Sequence, residues 1–436
     1  MILKLAEAIL REYPLCDSCL GRQFGNLLTG LSNSERGHAI KLSLAMEAHS
    51  RMDEDPEEAI EILSFLAYNG AHIPAVESLQ KMGIEVRPFE KCFLCNNFLS
   101  RTREIAKKCL NRVKDYEFHT FLVGAKVTEE VLNKEEELSR KFSLKFSESI
   151  KSEISREIGK EIERISGKGI DRENPDIVFI VSLSDIEVQI NPLYIYGRYR
   201  KLKRGIPQTR WPCSNCKGRG CELCGWTGKQ YPESVEELIG KPALEMTKGR
   251  EVKLHGAGRE DIDVRTLGSG RPFILEIKKP KLRKINLGEL EKRINSESKG
   301  KVEVLGLRFS SKSEVKKIKE KRGRKRYRVV FKLDREIKEE DLEKLENLKG
   351  RILQRTPTRV LHRRADKFRE REVYEIVIKE VKGNVGEAEI YCEGGLYVKE
   401  LVSGDNGRTT PSFTEVLGSK AECLELDVLD IELEGE

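Results

Sequence analysis

A glycine-flanked loop of alternating carboxylates and guanidiniums carries the side chains best suited to chemistry. Residues 258–265 read Gly-Arg-Glu-Asp-Ile-Asp-Val-Arg, and the partly β-branched apolar run at 273–277 predicts a strand soon after them. Glycines let the backbone approach a ligand closely, and nearby arginines favour the ionised form of a carboxyl group. An ionised aspartate on such a loop can act as a nucleophile or a general base. A surface loop with paired charges has the same composition, so these residues alone leave both interpretations open.

Eight of the eleven cysteines fall into four Cys-x-x-Cys pairs, a spacing typical of metal ligands. Such a turn directs two thiolates at one point, and two turns complete a tetrahedral site. The expected ligands are Cys213, Cys216, Cys221 and Cys224 in one site and Cys16, Cys19, Cys92 and Cys95 in the other. Zinc is the default ion, and four protein ligands leave no open position, so both sites are predicted to be structural. An iron–sulfur cluster for the compact set, and redox-active or reduced buried thiols for the separated set, remain alternatives.

The composition of the whole chain excludes several classes of protein. A length of 436 residues suits two or three domains, and the net charge of +7 is modest. Nowhere does the sequence approach the ~18 consecutive apolar residues of a membrane helix. Residues 1–11 combine apolar periodicity with charges, which predicts an amphipathic helix and not a signal peptide. We therefore expect a cytoplasmic protein without membrane association, in which the cysteines stay reduced.

Three stretches concentrate positive charge. Residues 191–208 interleave tyrosines with basic side chains, 312–328 carry ten Lys or Arg against two Glu, and 354–366 form a third basic element. Basic groups neutralise phosphates, and tyrosine faces can stack on unpaired bases, so RNA contact is one interpretation. A solvated basic surface with core tyrosines is the other.

Apolar periodicity predicts an α+β chain. Helices are expected at 34–51, 56–66, within 129–167 and at 286–296, and strands at 118–127, 177–181, 186–190, 302–309, 327–331, 373–381, 387–391 and 423–433. The last of these strands alternates apolar and acidic residues, which predicts a half-exposed strand that closes the sheet. Parallel βαβ repeats are not evident, and this disfavours a doubly wound fold.

The loop resembles the Gly-Arg-x-Asp catalytic loop of pseudouridine synthases. Residues 258–273 are similar to the corresponding string of the archaeal tRNA pseudouridine-54/55 synthase family, and the resemblance extends over nearly the whole chain. Residues 395–401, Gly-Leu-Tyr-Val-Lys-Glu-Leu, resemble the third motif of that superfamily. The resemblance implies that Asp261 is the catalytic nucleophile, that Asp263 is its only rival in the loop, and that Lys399 is the partner of Asp261.

The same resemblance implies residues that bind the substrate and the RNA. Tyr327 is expected against the target base, Leu401 as a pocket wall, and Tyr397 and Arg259 elsewhere in the substrate site. The stretch 191–208 is similar to the RNA-binding THUMP domain, which grips the acceptor end of tRNA in several modifying enzymes. The residues expected to contact RNA are Arg198, Arg200, Lys201, Lys203, Arg204, Arg355, Arg359, Arg363 and Arg364.

The resemblance implies a division into four parts. These are a helical zinc-binding region at 1–110, a THUMP-like RNA-binding domain at 111–212, a four-cysteine zinc knuckle or hinge at 213–225, and a pseudouridine synthase domain at 226–436 with a mixed, mostly antiparallel sheet. The protein would isomerise uridine 54, uridine 55 or both in the TΨC arm of tRNA, with two structural zinc ions and no organic cofactor. The residues do not decide whether Asp261 attacks the sugar, attacks the base or abstracts a proton. Nothing in the sequence indicates a protein partner.

Two other classes of protein share parts of this pattern. A non-catalytic, zinc-stabilised tRNA-binding or chaperone protein would have the cysteine pairs and the basic stretches, but it would not need the 258–265 loop together with the 395–401 motif. A THUMP-containing methyltransferase would need a glycine-rich nucleotide loop between a strand and a helix. Here Gly268-Ser269-Gly270 is expected to precede a strand.

Overall fold

Helix follows helix through the first hundred residues, because apolar side chains recur there at helical spacing. The structure, a computed structural model, describes residues 1–320, 323–362 and 364–433. The chain divides into two units, Met1–Asn191 and Pro192–Glu436. The helices of the first unit are α1 (Ile2–Glu12), α2 (Asp17–Gly21), α3 (Asn33–Ser50), α4 (Pro56–Tyr68), α5 (Ile73–Lys81), α6 (Thr102–Arg112), α7 (Glu129–Lys141) and α8 (Ile150–Ser166). These confirm the helices predicted in this region.

A four-stranded sheet completes the first unit. Its strands are β1 (Thr120–Lys126), β2 (Gly169–Ile170), β3 (Ile177–Ser182) and β4 (Ile186–Ile190), in the order β2-β1-β3-β4. Strand β1 is parallel to β2 and β3, and β3 pairs antiparallel with β4. Isoleucines at positions 150, 154, 158 and 162 form one apolar face of α8, and all four are buried in the core that contains this sheet.

The second unit is built on a ten-stranded sheet. Its strands are β5 (Leu193–Lys201), β6 (Glu251–Gly256), β7 (Arg265–Lys278), β8 (Val302–Ser310), β9 (Gly323–Leu333), β10 (Gly350–Arg355), β11 (Phe368–Lys382), β12 (Val385–Glu393), β13 (Thr409–Thr410) and β14 (Ala421–Leu433). They run in the order β13-β10-β11-β12-β9-β14-β7-β5-β8, and β6 pairs with β7. Only β14 and β7 are paired in parallel within the described part of the sheet, and only over two residue pairs. The predicted α+β class and mostly antiparallel sheet are confirmed.

Helices lie between the strands of the second unit. They are α9 (Val235–Thr247), α10 (Leu287–Glu297), α11 (Lys312–Glu320), α12 (Glu339–Glu346), α13 (Val398–Ser403) and α14 (Phe413–Leu417). Helix α10 begins after Asn286, whose side chain accepts a hydrogen bond from the amide of Glu289 at 3.1 Å, as expected of an N-cap. No helix in the described parts of the chain is both long and apolar enough to cross a membrane.

The structure differs from the sequence-based expectations at three places. Strand β5 was expected in a THUMP-like domain ending at residue 212, but it pairs with β7 and β8 and belongs to the second unit. Strand β14 was expected to close the sheet, but it lies between β9 and β7, because its apolar side chains are buried on the core side of the sheet. Gly268 lies within β7 and not before it, with φ at +53°, and an added Cβ would collide with the carbonyl of Leu429 in β14.

A buried carboxylate links neighbouring strands near the centre of this sheet. Asp427 of β14 is fully buried and accepts hydrogen bonds from Arg265 of β7 at 3.0 and 2.7 Å. Arg204 lies 2.8 Å from the same carboxylate and Arg328 of β9 lies 3.2 Å from it. Burial alone would raise the pKa of Asp427, but the hydrogen bond from Arg265 and the charge of Arg204 hold that pKa below its ordinary value. Asp427 therefore ties three segments together through its charge.

We predict that Asp427→Asn lowers the free energy of unfolding by about 2 kcal/mol, because it removes the negative charge that the half-buried guanidiniums of Arg204, Arg265 and Arg328 share. Urea unfolding at neutral pH measures this, with Glu422→Gln on the exposed side of the same strand as the control. The difference in the free energy of unfolding between wild type and Asp427→Asn should become smaller in acid, because the folded wild type loses this stabilisation when Asp427 is protonated. Equal loss of stability in both variants would contradict the assignment.

Candidate active site

The loop between β6 and β7 lines a cleft of about 810 Å³ in the second unit. Residues 257–264 form one side, Lys325 and Tyr327 of β9 another, and residues 394–399 a third. Arg359 projects into the cleft from the turn that follows β10. The structure thus brings together the loop, the tyrosine and the third motif that the sequence singled out. Such a cleft has room for a single extruded nucleotide.

Asp261 is hydrogen-bonded to a partner that was not expected. Its Oδ2 accepts a hydrogen bond from Nη1 of Arg359 at 2.8 Å, whereas Nζ of Lys399 lies 3.8 Å away. Lys399 donates instead to Oδ2 of Asp263 at 2.6 Å. Arg359 is oriented by Glu400, which accepts from its Nε at 2.7 Å. The expected pairing of Lys399 with Asp261 is therefore present as an ion pair at 3.8 Å, and Arg359 adds a hydrogen bond that was not expected.

Arg359 had been expected to contact RNA. In its sequence context it is one of several arginines in a dense basic element, and no spacing distinguishes it from the others. The distinguishing signal is Glu400, one residue after Lys399, because a buried carboxylate needs a cation beside it. Glu400 is 5% exposed, and this burial fixes which arginine reaches Asp261.

A buried polar network lies beneath the loop. Glu260 accepts hydrogen bonds at 2.9 Å from the hydroxyl of Tyr199, and Nε of Arg271 lies 2.8 Å from its Oε2. Gln208 donates to the Tyr199 hydroxyl at 2.9 Å and to the carbonyl of Gly258 at 3.1 Å. All four side chains are buried. The network fixes the backbone on both sides of Glu260, and therefore the position of the adjacent Asp261.

Lys201 is part of this support and does not face RNA. Its ammonium group is fully buried and donates to the carbonyls of Ile206 at 2.8 Å, Asp261 at 3.1 Å and Ile262 at 3.2 Å. Burial lowers the pKa of Lys201 to about 8, and the opposite charge of Glu260 limits the change. The expected RNA contact of Lys201 is wrong, because a lysine in a basic stretch can be buried when carbonyl oxygens surround its charge.

Most of the remaining basic stretch also binds protein backbone. Arg198, Arg200 and Arg204 donate to main-chain carbonyls of the 257–264 loop, β7 and β14, at distances between 2.6 and 3.2 Å. Their guanidiniums hold neighbouring segments together, which was not expected from the sequence. Lys203 is exposed, so of these residues it remains the best candidate for a contact with RNA.

Three of the four expected substrate residues, Tyr327, Tyr397 and Arg259, line the cleft, and Leu401 does not. Tyr327 is 8% exposed, and burial raises the pKa of its hydroxyl. Tyr397 precedes α13, where Gln354 accepts from its amide at 2.8 Å and donates to its carbonyl at 3.0 Å. Leu401 is fully buried inside the core of the unit and is not among the described residues that line the cleft. The prediction of Leu401 as a pocket wall is therefore wrong, because the helix turns it inward.

The other predicted basic residues lie at the rim of the cleft or beyond it. The guanidinium of Arg259 lies 5.1 Å from the ring centre of Trp211. Arg364 lies 3.5 Å from the hydroxyl of Tyr397, and Arg355 pairs with Asp366 at 2.7 Å. Arg363 lies outside the described residues.

Lys325 is a cleft residue that sequence reasoning missed. It is half-buried in the cleft wall, on the same face of β9 as Tyr327. Burial, together with the charge of Arg271, lowers its pKa to about 8. Lys325 is one of ten basic residues in 312–328. The sequence alone does not distinguish it from the exposed members of that stretch.

Both predicted cysteine sets are confirmed as clusters that could hold a metal ion. Within each set the four Sγ atoms lie within 4.8 Å of one another. The Sγ–Sγ distance is 3.7 Å for Cys16–Cys95, and neighbouring sulfurs within 213–224 lie 3.7 to 3.9 Å apart. Thiolates bound at about 2.3 Å to one tetrahedral ion lie about 3.8 Å apart, so both sets fit zinc.

The surroundings of the second cluster favour metal-binding thiolates, and those of the first fix the chain segment that carries its cysteines. In the second cluster, the amides of Gly220 and Gly228 donate to the sulfurs of Cys216 and Cys224 at 3.2 Å each. Such donors stabilise thiolates, the form that binds metal. In the first unit, the buried Lys41 donates to the carbonyl of Leu15 at 2.9 Å and so fixes the segment that enters the first cluster.

We predict that the contribution of Lys201 to the free energy of unfolding increases with pH. Its pKa of about 8 in the folded protein lies below the ~10.4 of an unfolded chain, so between these values the unfolded chain binds more protons. The free energy of unfolding contributed by Lys201 must therefore rise from about pH 8 to about pH 10.4. The stability difference between wild type and Lys201→Met should change steadily over that range in urea titrations, in the direction that favours the folded wild type. A difference that stays constant would contradict the assigned burial.

Comparison with known families agrees with this arrangement. The family model described as "Pus10, C-terminal" matches residues 194–432, and "Pus10 THUMP domain, archaeal" matches residues 105–182. The THUMP match ends before the basic stretch 191–208, which lies almost entirely in the C-terminal match. This agrees with the place of β5 in the second unit.

Curated relatives cover the whole chain. "tRNA pseudouridine synthase Pus10" of Methanocaldococcus jannaschii is 47% identical over 435 residues, which cover 97% of this chain and 93% of the relative. The protein of the same name from Methanopyrus kandleri is 45% identical over 445 residues, which cover 100% and 99%.

Solved structures overlap only in part. A chain of a "Cbf5-Nop10-Gar1 Complex" overlaps 45% of this chain and 45% of its own length, with a TM-score of 0.29 and 17% identity. Membership therefore rests on the family models and on the curated relatives. The chain belongs to the Pus10 family of tRNA pseudouridine synthases.

Proposed function

We propose that the cleft converts uridine 54, uridine 55 or both in the TΨC arm of tRNA to pseudouridine. The observation that carries this proposal is the carboxylate of Asp261, held 2.8 Å from Arg359 in a cleft beside Tyr327. The hydrogen bond from Arg359 fixes the position of this carboxylate, and either nucleophilic attack or proton abstraction would use its oxygen atoms. The archaeal family resemblance of the loop supports the two uridine positions.

The reaction needs neither a redox change nor an organic cofactor. The N1–C1′ bond of uridine breaks, the base turns, and C5 bonds to C1′; C5 then loses its proton and N1 gains one, so that the product is an isomer of uridine. We assign Asp261 as the catalytic carboxylate, Arg359 as its partner, and Tyr327 as the wall against which the extruded base rests. Lys399 orders the loop through Asp263 and adds positive charge near Asp261.

The buried network positions these groups. Four buried side chains fix the loop before the substrate binds: Glu260, Tyr199, Arg271 and Lys201. The charged groups of the loop therefore do not have to reorganise during the reaction. Tyr397 and Arg259 also line the cleft, and we assign both to contact with the substrate.

We assign tRNA binding to several parts of the chain. The THUMP match at 105–182 lies in the first unit and is assigned to grip the acceptor end of tRNA. In the second unit, Lys203 and Arg364 are exposed and can contact phosphates near the cleft, since exposed cations attract the RNA backbone. Residues 1–110 remain a zinc-binding helical region, and the catalytic domain extends from 192 and includes the cysteine knuckle, residues 213–225. A tRNA substrate and reduced cysteines favour the cytoplasm.

The catalytic assignment is tested with an unmodified tRNA transcript and no added cofactor. Wild type should form pseudouridine at position 54, 55 or both, as mapped by carbodiimide treatment and primer extension. Asp261→Asn should bind the transcript but form no detectable pseudouridine, because the amide keeps the shape and loses the charge and the nucleophilicity. Arg359→Met should slow the reaction at least about tenfold, since the carboxylate loses its hydrogen-bonded partner.

Asp263→Asn is the matched control for the loop. It should keep substantial activity, because Asp263 contacts Lys399 and not Arg359. An active Asp261→Asn beside an inactive Asp263→Asn would show that the wrong carboxylate was assigned. Activity in both variants would place the reaction elsewhere.

We further propose that both cysteine clusters hold structural zinc, and we predict about two equivalents of zinc per chain by elemental analysis. Cys95→Ser should reduce this to about one equivalent and lower the melting temperature, because a structural ion contributes folding free energy. Cys109→Ser is the control, since that buried cysteine belongs to neither cluster. A value near one equivalent in wild type would exclude one of the two sites.

A further inference from the structure

The cysteine knuckle presents two large apolar side chains to solvent. Leu223 is 77% exposed and Trp226 is 72% exposed. Both extend from the short segment that closes the second cysteine cluster. A tryptophan exposed to this degree on a small, polar, glycine-rich loop does not stabilise the loop by burial, so its position needs another explanation.

The backbone holds Trp226 in this outward position. Its φ is +63°, an uncommon conformation for a large side chain, and its amide donates to the carbonyl of Cys221 at 2.9 Å. An added Cβ at Gly220 would lie 2.9 Å from the carbonyl oxygen of Trp226, so the glycine permits the close approach of the two segments. The indole is therefore presented on a fixed frame and not on a flexible tail.

Basic side chains outnumber acidic ones in the sequence around Trp226. Between residues 210 and 230 the basic side chains are Arg210, Lys217, Arg219 and Lys229, and Glu222 is the only acidic one. Lys229 pairs with Glu237. Arg210, Lys217 and Arg219 are exposed, and none forms an ion pair with a residue in the described parts of the chain. This contrasts with β5, where the arginines donate to protein carbonyls.

The knuckle is joined directly to the cleft. Pro212 and Lys229 form a β-bridge at its base, so its two ends are held together. The preceding residue, Trp211, lines the cleft and packs against Tyr231 with ring centres 5.7 Å apart. Arg259 of the loop also packs on the Trp211 ring. A polymer whose reacting nucleotide enters the cleft therefore passes near the knuckle.

We propose that the knuckle docks unpaired nucleotides that flank the target base, with Trp226 stacking on a base and Lys217 and Arg219 contacting phosphates. An exposed aromatic ring among exposed cations fits a single-stranded segment of RNA, because every base offers a stacking face and every phosphate a negative charge. The stacking is independent of sequence, so this surface contributes affinity and orientation and does not choose the base. The inference rests on the proposed action of the cleft on RNA.

The test measures the dissociation constant of the full-length, zinc-loaded protein for the unmodified tRNA transcript. Trp226→Ala should weaken binding about tenfold, whereas Trp226→Phe, which keeps a stacking face, should stay within about threefold of wild type. Leu424→Ala removes an exposed apolar side chain from β14 and serves as the control, with no change expected. Zinc content is measured for every variant, so that a loss of the metal is distinguished from a loss of stacking.

A second variant keeps the test decisive if Trp226→Ala does not fold. Lys217→Glu with Arg219→Glu alters only exposed charges. It should weaken binding, and the slope of the salt dependence should fall by roughly one unit for each phosphate that is no longer neutralised. Unchanged affinity in the charge variant and in every folded Trp226 variant would overturn the proposal and leave the surface to a protein partner. If instead wild type makes no pseudouridine in the transcript, the proposed function fails separately from this inference.

Discussion

The loop of residues 257–264 depends on one buried ion pair, between Glu260 and Arg271. Both side chains are removed from water, so each charge must be satisfied inside the protein, and the hydroxyl of Tyr199 and the carbonyl of Ala257 complete the arrangement. The pair lies one residue before Asp261. Breaking it would leave an unpaired charge under the loop, and this cost keeps the backbone in one conformation. The carboxylate of Asp261, which we propose to be catalytic, can then remain partly exposed and still hold a fixed position.

Positive charge has two distinct uses in the second unit. Lysine and arginine side chains of β5 and the turn after it donate to carbonyl oxygens and join strands that are distant in sequence. Others, such as Lys217 and Arg219 of the cysteine knuckle, are exposed and have no carboxylate partner among the described residues that would compete with phosphate. The modest net charge of +7 conceals this division, because both kinds of cation count equally in it. The distribution of partners, and not the number of basic residues, determines which surface can bind RNA.

The sequence predicted well those features that depend on short-range patterns. The helices, most strands, both cysteine clusters and the meeting of Asp261 with Tyr327 and Tyr397 follow from periodicity, spacing and motif resemblance. The sequence did not predict the features that depend on which side chains and strands are buried. A basic stretch does not reveal that Lys201 is enclosed by carbonyls, nor does an alternating strand reveal that β14 lies inside the sheet. The choice between Arg359 and Lys399 as partner of Asp261 depends on a contact with Glu400, which brings together residues 41 positions apart in the chain.

The position of β14 inside the sheet also determines when the cleft can form during synthesis of the chain. The cleft has one wall on β9 and another on the loop before β7, and β14 lies between these strands and contributes Leu426 and Val428 to the lining. Residues 421–433 form the last described strand in the sequence, so a ribosome has synthesised the other strands of this sheet before the two walls can be joined. A nascent chain that already displays its first unit therefore still lacks a finished cleft. Capture of tRNA by such a chain would be unproductive until translation has passed the final strand.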